Sequence, residues 1–204
     1  MQHLIRQYSL ETGSLEVEYM EQYFTEFAVP KSARDLRERL LRRDHLILIS
    51  LAPSLDDGEN WVPVAFKVGH ELSARDALDG ANPGDRAVAD LAQRLQDSVA
   101  FGRRRVFYSW LGGTRLEWRG QGHYRALTEQ QEEWAHRHGY QEFVVKTKNR
   151  YYGMRAALDR LHFDVLKFEP DALDNGNSKV YLSKRLSADV LRHHLTSRQV
   201  SLAA

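Results

Sequence analysis

The stretch 117–127, "EWRGQGHYRAL", sets Gly120 and Gly122 one residue apart behind Arg119, and good helix formers follow from Arg125 to Trp134. Glycines at the opening of a helix point to an anion. The first turn of a helix has N–H groups with no partner inside the helix, and it carries the positive end of the dipole. It can therefore hold a phosphate. A residue without a side chain lets phosphate oxygens approach the backbone.

Three phosphate-binding designs compete for this turn. A P-loop requires Lys followed by Ser or Thr after its second spaced glycine, and neither is present. The dinucleotide fingerprint requires a third glycine where Arg125 stands. It also belongs to an opening βαβ unit, whereas this turn lies mid-chain after two hairpin-like strands. The third design is the pyrophosphate arm of an acyl-CoA site: Arg or Gln, two residues, Gly, one residue, then Gly or Ala. Arg119-Gly120-Gln121-Gly122-His123-Tyr124 fits it except at Tyr124.

Working outward, the helix at 122–138 shares a face between Leu127 and Trp134, with Glu129, Glu132, Glu133 and Arg137 expected to be mostly solvated and Gly139 as its C-cap. Before the turn, "VFYSWLGGT" (106–114) reads as a strand ending in two glycines. Upstream lie strands at 45–53 and 61–72 around the turn 56–60, with Val62, Val64, Phe66 and Val68 alternating. Earlier still come a strand at 3–10 and helices at 14–27 and 32–44, the second capped by Ser32 with Leu36 and Leu40 on one face. The section 73–105 opens with turn residues and offers a helix at 85–99 with Val88, Leu91, Leu95 and Val99 in one stripe. Its charges read as a solvated face. Downstream come a strand (142–147), a helix (150–162) and strands at 163–170 and 178–186. The tail from Ser187 has a weak helical pattern, and His193-His194 carry no signal. Strands and helices alternate without a break, which predicts one α/β domain over 1–204, with a core at 4–186 and a tail at 187–204.

Composition narrows the function classes. The chain has 204 residues, 42% hydrophobic and 28% charged, as a packed globular protein requires. A formal net charge of +1 gives no electrostatic case for nucleic acid. The absence of cysteine excludes disulfides, thiolate metal sites and a cysteine nucleophile. It is compatible with a cytoplasmic location. No stretch approaches the ~20 apolar residues of a membrane helix, so no membrane partner is expected. His136 and His138 stand two apart on a helix, on different faces, so no metal site is expected there.

At this point the chain resembles the GNAT superfamily of CoA-dependent N-acyltransferases, over roughly 4–186. "YSWLGGTRLEWRGQGHYRALTEQQEEWAHRHGY" (108–140) is similar to that family's central motif, including Gly139-Tyr140 before the fifth strand. "NRYYGMRAALDRLHF" (149–163) resembles the next motif, which usually ends in Gly-Phe and here ends in His162-Phe163. The resemblance implies a mixed, mostly antiparallel central sheet flanked by helices, with splayed fourth and fifth strands. It implies acetyl-CoA as co-substrate and direct attack by an amine on the thioester in a ternary complex, without a metal or a protein nucleophile. The pantetheine arm would bond to the edge of the fourth strand at Gly112, Gly113 and Thr114. Backbone N–H groups of Gln121, Gly122, His123 and Tyr124 would hold the pyrophosphate, beside Gly120, with Arg119 adding charge. Asn149 resembles a cofactor-side asparagine.

Plainer readings stay open. Gly112-Gly113 can also be read as a strand bulge and Gly120/Gly122 as a simple turn, both the lesser readings, while Arg119 as a surface residue and Asn149 as an N-cap stand nearly level with their cofactor roles. Many family members place a proton-donating tyrosine five residues before the Phe, and here that position is Leu158. Tyr151 is two turns, ~10.5 Å, away and does not replace it. For the general base, Glu71 is favoured over His70 and Tyr108, since a carboxylate also attracts a cationic amine. The expected activity is N-acetyl transfer to a small-molecule or peptide amine. The contrasting reading is a non-catalytic acyl-CoA-binding sensor or interaction module. The segment 73–105 is expected to border the acceptor side or to form a homodimer contact.

Overall fold

The computed structural model describes residues 4–10, 32–55, 60–78, 83–192 and 194. The expected helix at 14–27 and most of the turn at 56–60 lie outside the described residues.

Seven strands form a sheet in the order β1-β2-β3-β4-β5-β7-β6. They are β1 (Leu4–Tyr8), β2 (His45–Pro53), β3 (Trp61–Leu72), β4 (Val106–Thr114), β5 (Glu142–Lys148), β6 (Asp164–Glu169) and β7 (Lys179–Arg185). The helices are α1 (Ala33–Leu40), α2 (Pro83–Leu95), α3 (His123–Arg137) and α4 (Tyr152–Arg160). The described pairings are antiparallel except β4 with β5. The chain groups into two compact units: residues 1–70, 111–133 and 189–204, and residues 71–110 and 134–188.

In the first unit, β1, β2 and β3 form an antiparallel meander, with Arg6 opposite Ile49 and Ile49 opposite Phe66. Seven consecutive residues of β2, Leu46 to Ala52, are buried. A strand buried without alternation is covered on both faces, which explains its unbroken apolar run. The Ser32 hydroxyl accepts from Asp35 N–H at 3.1 Å, and Asp35 returns the bond to Ser32 N–H at 3.2 Å. This capping box starts α1, and Leu36 and Leu40 are its buried stripe. The end of β4 joins β3 where Arg115 N–H donates to the Val64 carbonyl at 3.0 Å.

In the second unit, α2 buries Val88, Leu91, Ala92 and Leu95 in a core with Val106, Tyr108 and Val144. Each such aliphatic side chain contributes roughly 1.5–3 kcal/mol by leaving water. The segment between β3 and β4 is thus anchored by a core helix. Adjacent residues of β4 face opposite sides of the sheet, so Phe107 enters a different cluster, 5.4 Å from Trp134, 5.3 Å from Tyr140 and 5.7 Å from Phe143, centroid to centroid. The parallel ladder of β4 and β5 runs from Val106↔Glu142 to Ser109↔Val145. β4 continues to Thr114, while β5 continues to Lys148 paired with β7. The described β4–β5 pairing ends at Ser109↔Val145.

Among the described residues, no helix is long and apolar enough to cross a membrane.

Candidate functional site

The turn before α3 is built by conformation. Gly120 has φ 76° and Gly122 φ 86°, in the left-handed region that side chains disfavour. Among the described residues, a Cβ added at Gly120 would meet nothing within 4 Å, so the turn is open at that position. Gly122 starts the helix: its carbonyl accepts from Ala126 N–H at 3.0 Å. Residues 122 to 125 therefore supply the N–H groups that the helix does not use, and Gln121 adds its own just before them. Arg119 is exposed, and its Nε donates to the Thr114 carbonyl at 3.1 Å, tying the turn to the end of β4. Gln121 braces the same loop through Nε2 to the Glu117 carbonyl at 3.3 Å.

Both side chains that open α3 point inward. The His123 ring is buried, its Nδ1 2.9 Å from Ser50 Oγ, and it meets Trp118 edge to face at 6.1 Å. Tyr124 stands where the acyl-CoA pattern has a small residue, and its ring also turns away from the turn's open side. Its hydroxyl accepts from Lys67 Nζ at 3.1 Å, with the ammonium 4.2 Å from the ring centroid. Only the backbone of His123 and Tyr124 is left for an anion. At the end of β4, a Cβ on Gly112 would lie 3.6 Å from both Lys67 Cγ and Tyr124 Cε2, ordinary contact distance. Thr114 Oγ1 is buried and, among the described residues, has no hydrogen-bond partner. Such an atom is an unmet demand that a ligand's polar group can answer.

Lys67 was not legible as part of this site. It is 1% exposed, between Phe66 and Val68 of β3. Burial lowers its pKa to about 7, opposed by the charge of Glu132. Burial likewise pushes the Tyr124 phenol far up. Two expectations about α3 and the tail require correction. Glu129 and Glu132, expected to be solvated, are 4% and 0% exposed. Glu129 is held by Arg125 Nε at 2.7 Å, and Glu132 Oε2 lies 2.9 Å from His194 Nε2. His194, read as a residue without signal, is 2% exposed. Glu133 is half-buried, and Arg137 is exposed as expected.

The proton-transfer candidates fall in different settings. His70 is fully buried, and its Nε2 accepts from Arg39 Nε at 3.0 Å. Tyr108 is 1% exposed, inside the α2 core. Glu71, at the end of β3 in the second unit, is one-third exposed, and its Oε1 lies 3.4 Å from Arg105 Nη2. Arg105 also donates to the Tyr140 hydroxyl at 3.2 Å and to the His138 carbonyl at 2.8 Å. Leu158 is fully buried and offers no proton. Tyr151 is the N-cap residue of α4 and about half exposed. Asn149 does not cap α4; its Nδ2 donates to the Asn175 carbonyl at 3.2 Å, and its Oδ1 accepts from Arg155. His138 stacks on Trp134 at 3.9 Å. Among the described residues, no group of His, Asp and Glu could hold a metal ion.

No protein-family model and no curated protein sequence matches the chain. Solved structures do. NAA60 of Arabidopsis thaliana in complex with acetyl-CoA superposes with a TM-score of 0.67 at 12% identity, covering 91% of this chain and 99% of that one. The NatC complex bound to Gag peptide and CoA gives 0.64 at 13%, covering 92% and 100%. The ribosomal-protein-S18-alanine N-acetyltransferase of Escherichia coli gives 0.55 at 15%, covering 90% and 95%. Element order, the parallel pairing of β4 with β5, and these superpositions agree: the chain has the fold of the GNAT acetyltransferases.

Proposed function

We propose that the chain is an N-acyltransferase that moves an acetyl group from acetyl-CoA to a primary amine by direct attack in a ternary complex. The observation that carries this reading is the turn Arg119–Gly122. Two exposed left-handed glycines shape it and deliver the unused N–H groups of α3, with a buried Thr114 hydroxyl beside it that has no hydrogen-bond partner among the described residues. The residues fit the cofactor. The N–H groups of 121–124 would take the pyrophosphate, Arg119 would add charge, and the edge of β4 at 112–114 would pair with the pantetheine arm. Asn149 could share its amide with that arm.

Acetyl-CoA supplies an activated thioester. The amine nitrogen bonds to the acyl carbon, the C–S bond breaks, and the sulfur leaves as thiolate. A thiol's pKa of ~8.5 makes the thiolate a tolerable leaving group, so a chain with Leu158 in the donor position can let solvent protonate it. The amine's proton is the harder one. We assign it to Glu71, acting directly or through water with Arg105 alongside. The solved relatives named above include enzymes bound to a peptide or named for a protein's alanine. A peptide α-amine, with a pKa of ~7.7–8.0, asks less of a base than a side-chain amine at ~10.4. We therefore favour a peptide N-terminus over a small-molecule amine as acceptor.

The buried Leu158 favours a second reading, a non-catalytic acyl-CoA-binding module. One assay separates the two. Release of free thiol from acetyl-CoA is followed with a panel of peptides, alkylamines and aminoglycosides. Amine-dependent release supports the enzyme. Binding of acetyl-CoA without release from any acceptor supports the module.

A further inference from the structure

The functional reading leaves the Lys67 side chain without a task. A lysine is rarely fully buried unless paired, because water stabilises its charge more than the interior does. Among the described residues the polar partners of Lys67 are the Tyr124 hydroxyl at 3.1 Å and the charge of Glu132, both on α3. Glu132 in turn meets His194 of the C-terminal segment at 2.9 Å. On the sheet Leu48 of β2 stands opposite Lys67, and the side-chain-free Gly112 of β4 lies beside it. Tyr124 is the second residue of α3, so the lysine is bonded to the very turn whose N–H groups face the open side.

We propose that Lys67 is a proton-linked positioning residue for the cofactor: it takes up a proton when the phosphates of acetyl-CoA dock on the first turn of α3, and so couples cofactor affinity to pH. This rests on the acyl-CoA reading of the turn. With the site empty, burial holds the lysine near its neutral point, at about 7. An anion brought to the turn favours the ammonium, because charges interact more strongly with a group buried as Lys67 is than with one in water. The charged form in turn grips Tyr124 and fixes the turn. By linkage, affinity is highest where Lys67 is already protonated and falls as pH rises above about 7. Each unit by which the bound state raises the lysine's pKa is tenfold in affinity between the two limits.

The test is calorimetric titration with acetyl-CoA from pH 6 to 8.5 in buffers of different ionisation enthalpy, for the wild-type chain, Lys67→Met and His194→Gln. The wild type is expected to take up protons near pH 7 and to lose about tenfold in affinity across the range, beyond the ligand's own phosphate titration. That excess must be absent in Lys67→Met. It must persist in His194→Gln, because histidine titrates in the same range. An excess that survives in a folded Lys67→Met, or that disappears in His194→Gln, overturns the proposal while leaving the acyl-CoA site intact. A wild-type chain that binds no acetyl-CoA at any pH overturns both. If Lys67→Met does not fold, the wild type decides alone. A lysine ε-carbon resonance titrating near neutrality must move to higher pH with acetyl-CoA, and an unmoved midpoint overturns the proposal.

Discussion

The helices that follow β4 and β5 end alike and begin differently. At the end of α3, Gly139 N–H bonds to His136 O and Tyr140 N–H to Ala135 O, both at 3.0 Å. At the end of α4, His162 N–H bonds to Asp159 O at 2.9 Å and Phe163 N–H to Leu158 O at 3.1 Å. Both are Schellman motifs, and both need a left-handed residue: Gly139 at φ 82° and His162 at φ 61°. The beginnings share nothing. α4 starts from Tyr151 with no side-chain cap, whereas α3 starts from two exposed left-handed glycines. A helix end can be closed by one geometry with either residue. The α3 start has more glycine than closing a helix demands, and the proposed acyl-CoA site would give the surplus a purpose.

The sharpest way to break that contrast is to fill the α3 start. Gly122→Glu places a strained, negatively charged residue in the turn. Acetyl-CoA should raise the melting temperature of the wild type, since a ligand that binds only the folded state stabilises it, and the variant should lose the rise altogether. NAD and ATP should raise it less in the wild type. A variant that still binds acetyl-CoA normally would leave the two helix starts functionally equivalent.

Next in size is the proton chemistry in the unit that holds α4. Glu71→Gln should lower kcat/KM by ~10²-fold or more, with the rising limb of the pH profile lost. Tyr151→Phe at the α4 start should change it little. A large Tyr151 effect would make the start of α4 a functional end too.

What lies beneath the α3 start should show in stability against pH. The unfolded chain holds the Lys67 proton up to ~10.4, and the folded chain releases it at about 7. Between those values the unfolded state binds more protons, so folding stability should rise with pH there. Chemical denaturation at pH 6, 7.5 and 9 measures it, and Lys67→Met should flatten this contribution. The helix ends give the smallest effects, of opposite sign. His162→Gly should stabilise by about 1 kcal/mol, a rise of ~2–4 °C in Tm, and Gly139→Ala should destabilise by a similar amount. Thermal melts of the pair would show whether the two ends are as alike as their hydrogen bonds.

The same contrast divides what was legible. β2, β3 and β4 fall on the residues expected from the sequence, because charged or glycine-rich turns bound each apolar run. The glycine pair at 120 and 122 was legible because glycine is the one residue that says where the backbone goes. The polar interior was not. Alternation in β3 puts Val64, Phe66 and Val68 inward and so Lys67 outward, but β3 is buried on both faces. The same error put Glu129 and Glu132 in solvent. Helical periodicity assigns one face to the core, and it has no term for a C-terminal segment that brings His194 onto the other. Glu71 stands out in the sequence as a carboxylate that can attract a cationic amine, and no pattern in the sequence announces that Arg105 is its neighbour.

The central claim is that the α3 start holds acetyl-CoA, and backbone amides report on it directly. In a titration of the nitrogen-15-labelled chain with acetyl-CoA, the largest amide shifts should fall on Gly120 to Arg125 and on Gly112 to Thr114, and the amides at the start of α4, Tyr152 to Met154, should move far less. Shifts centred elsewhere, with the glycine turn unmoved at saturation, would contradict the account.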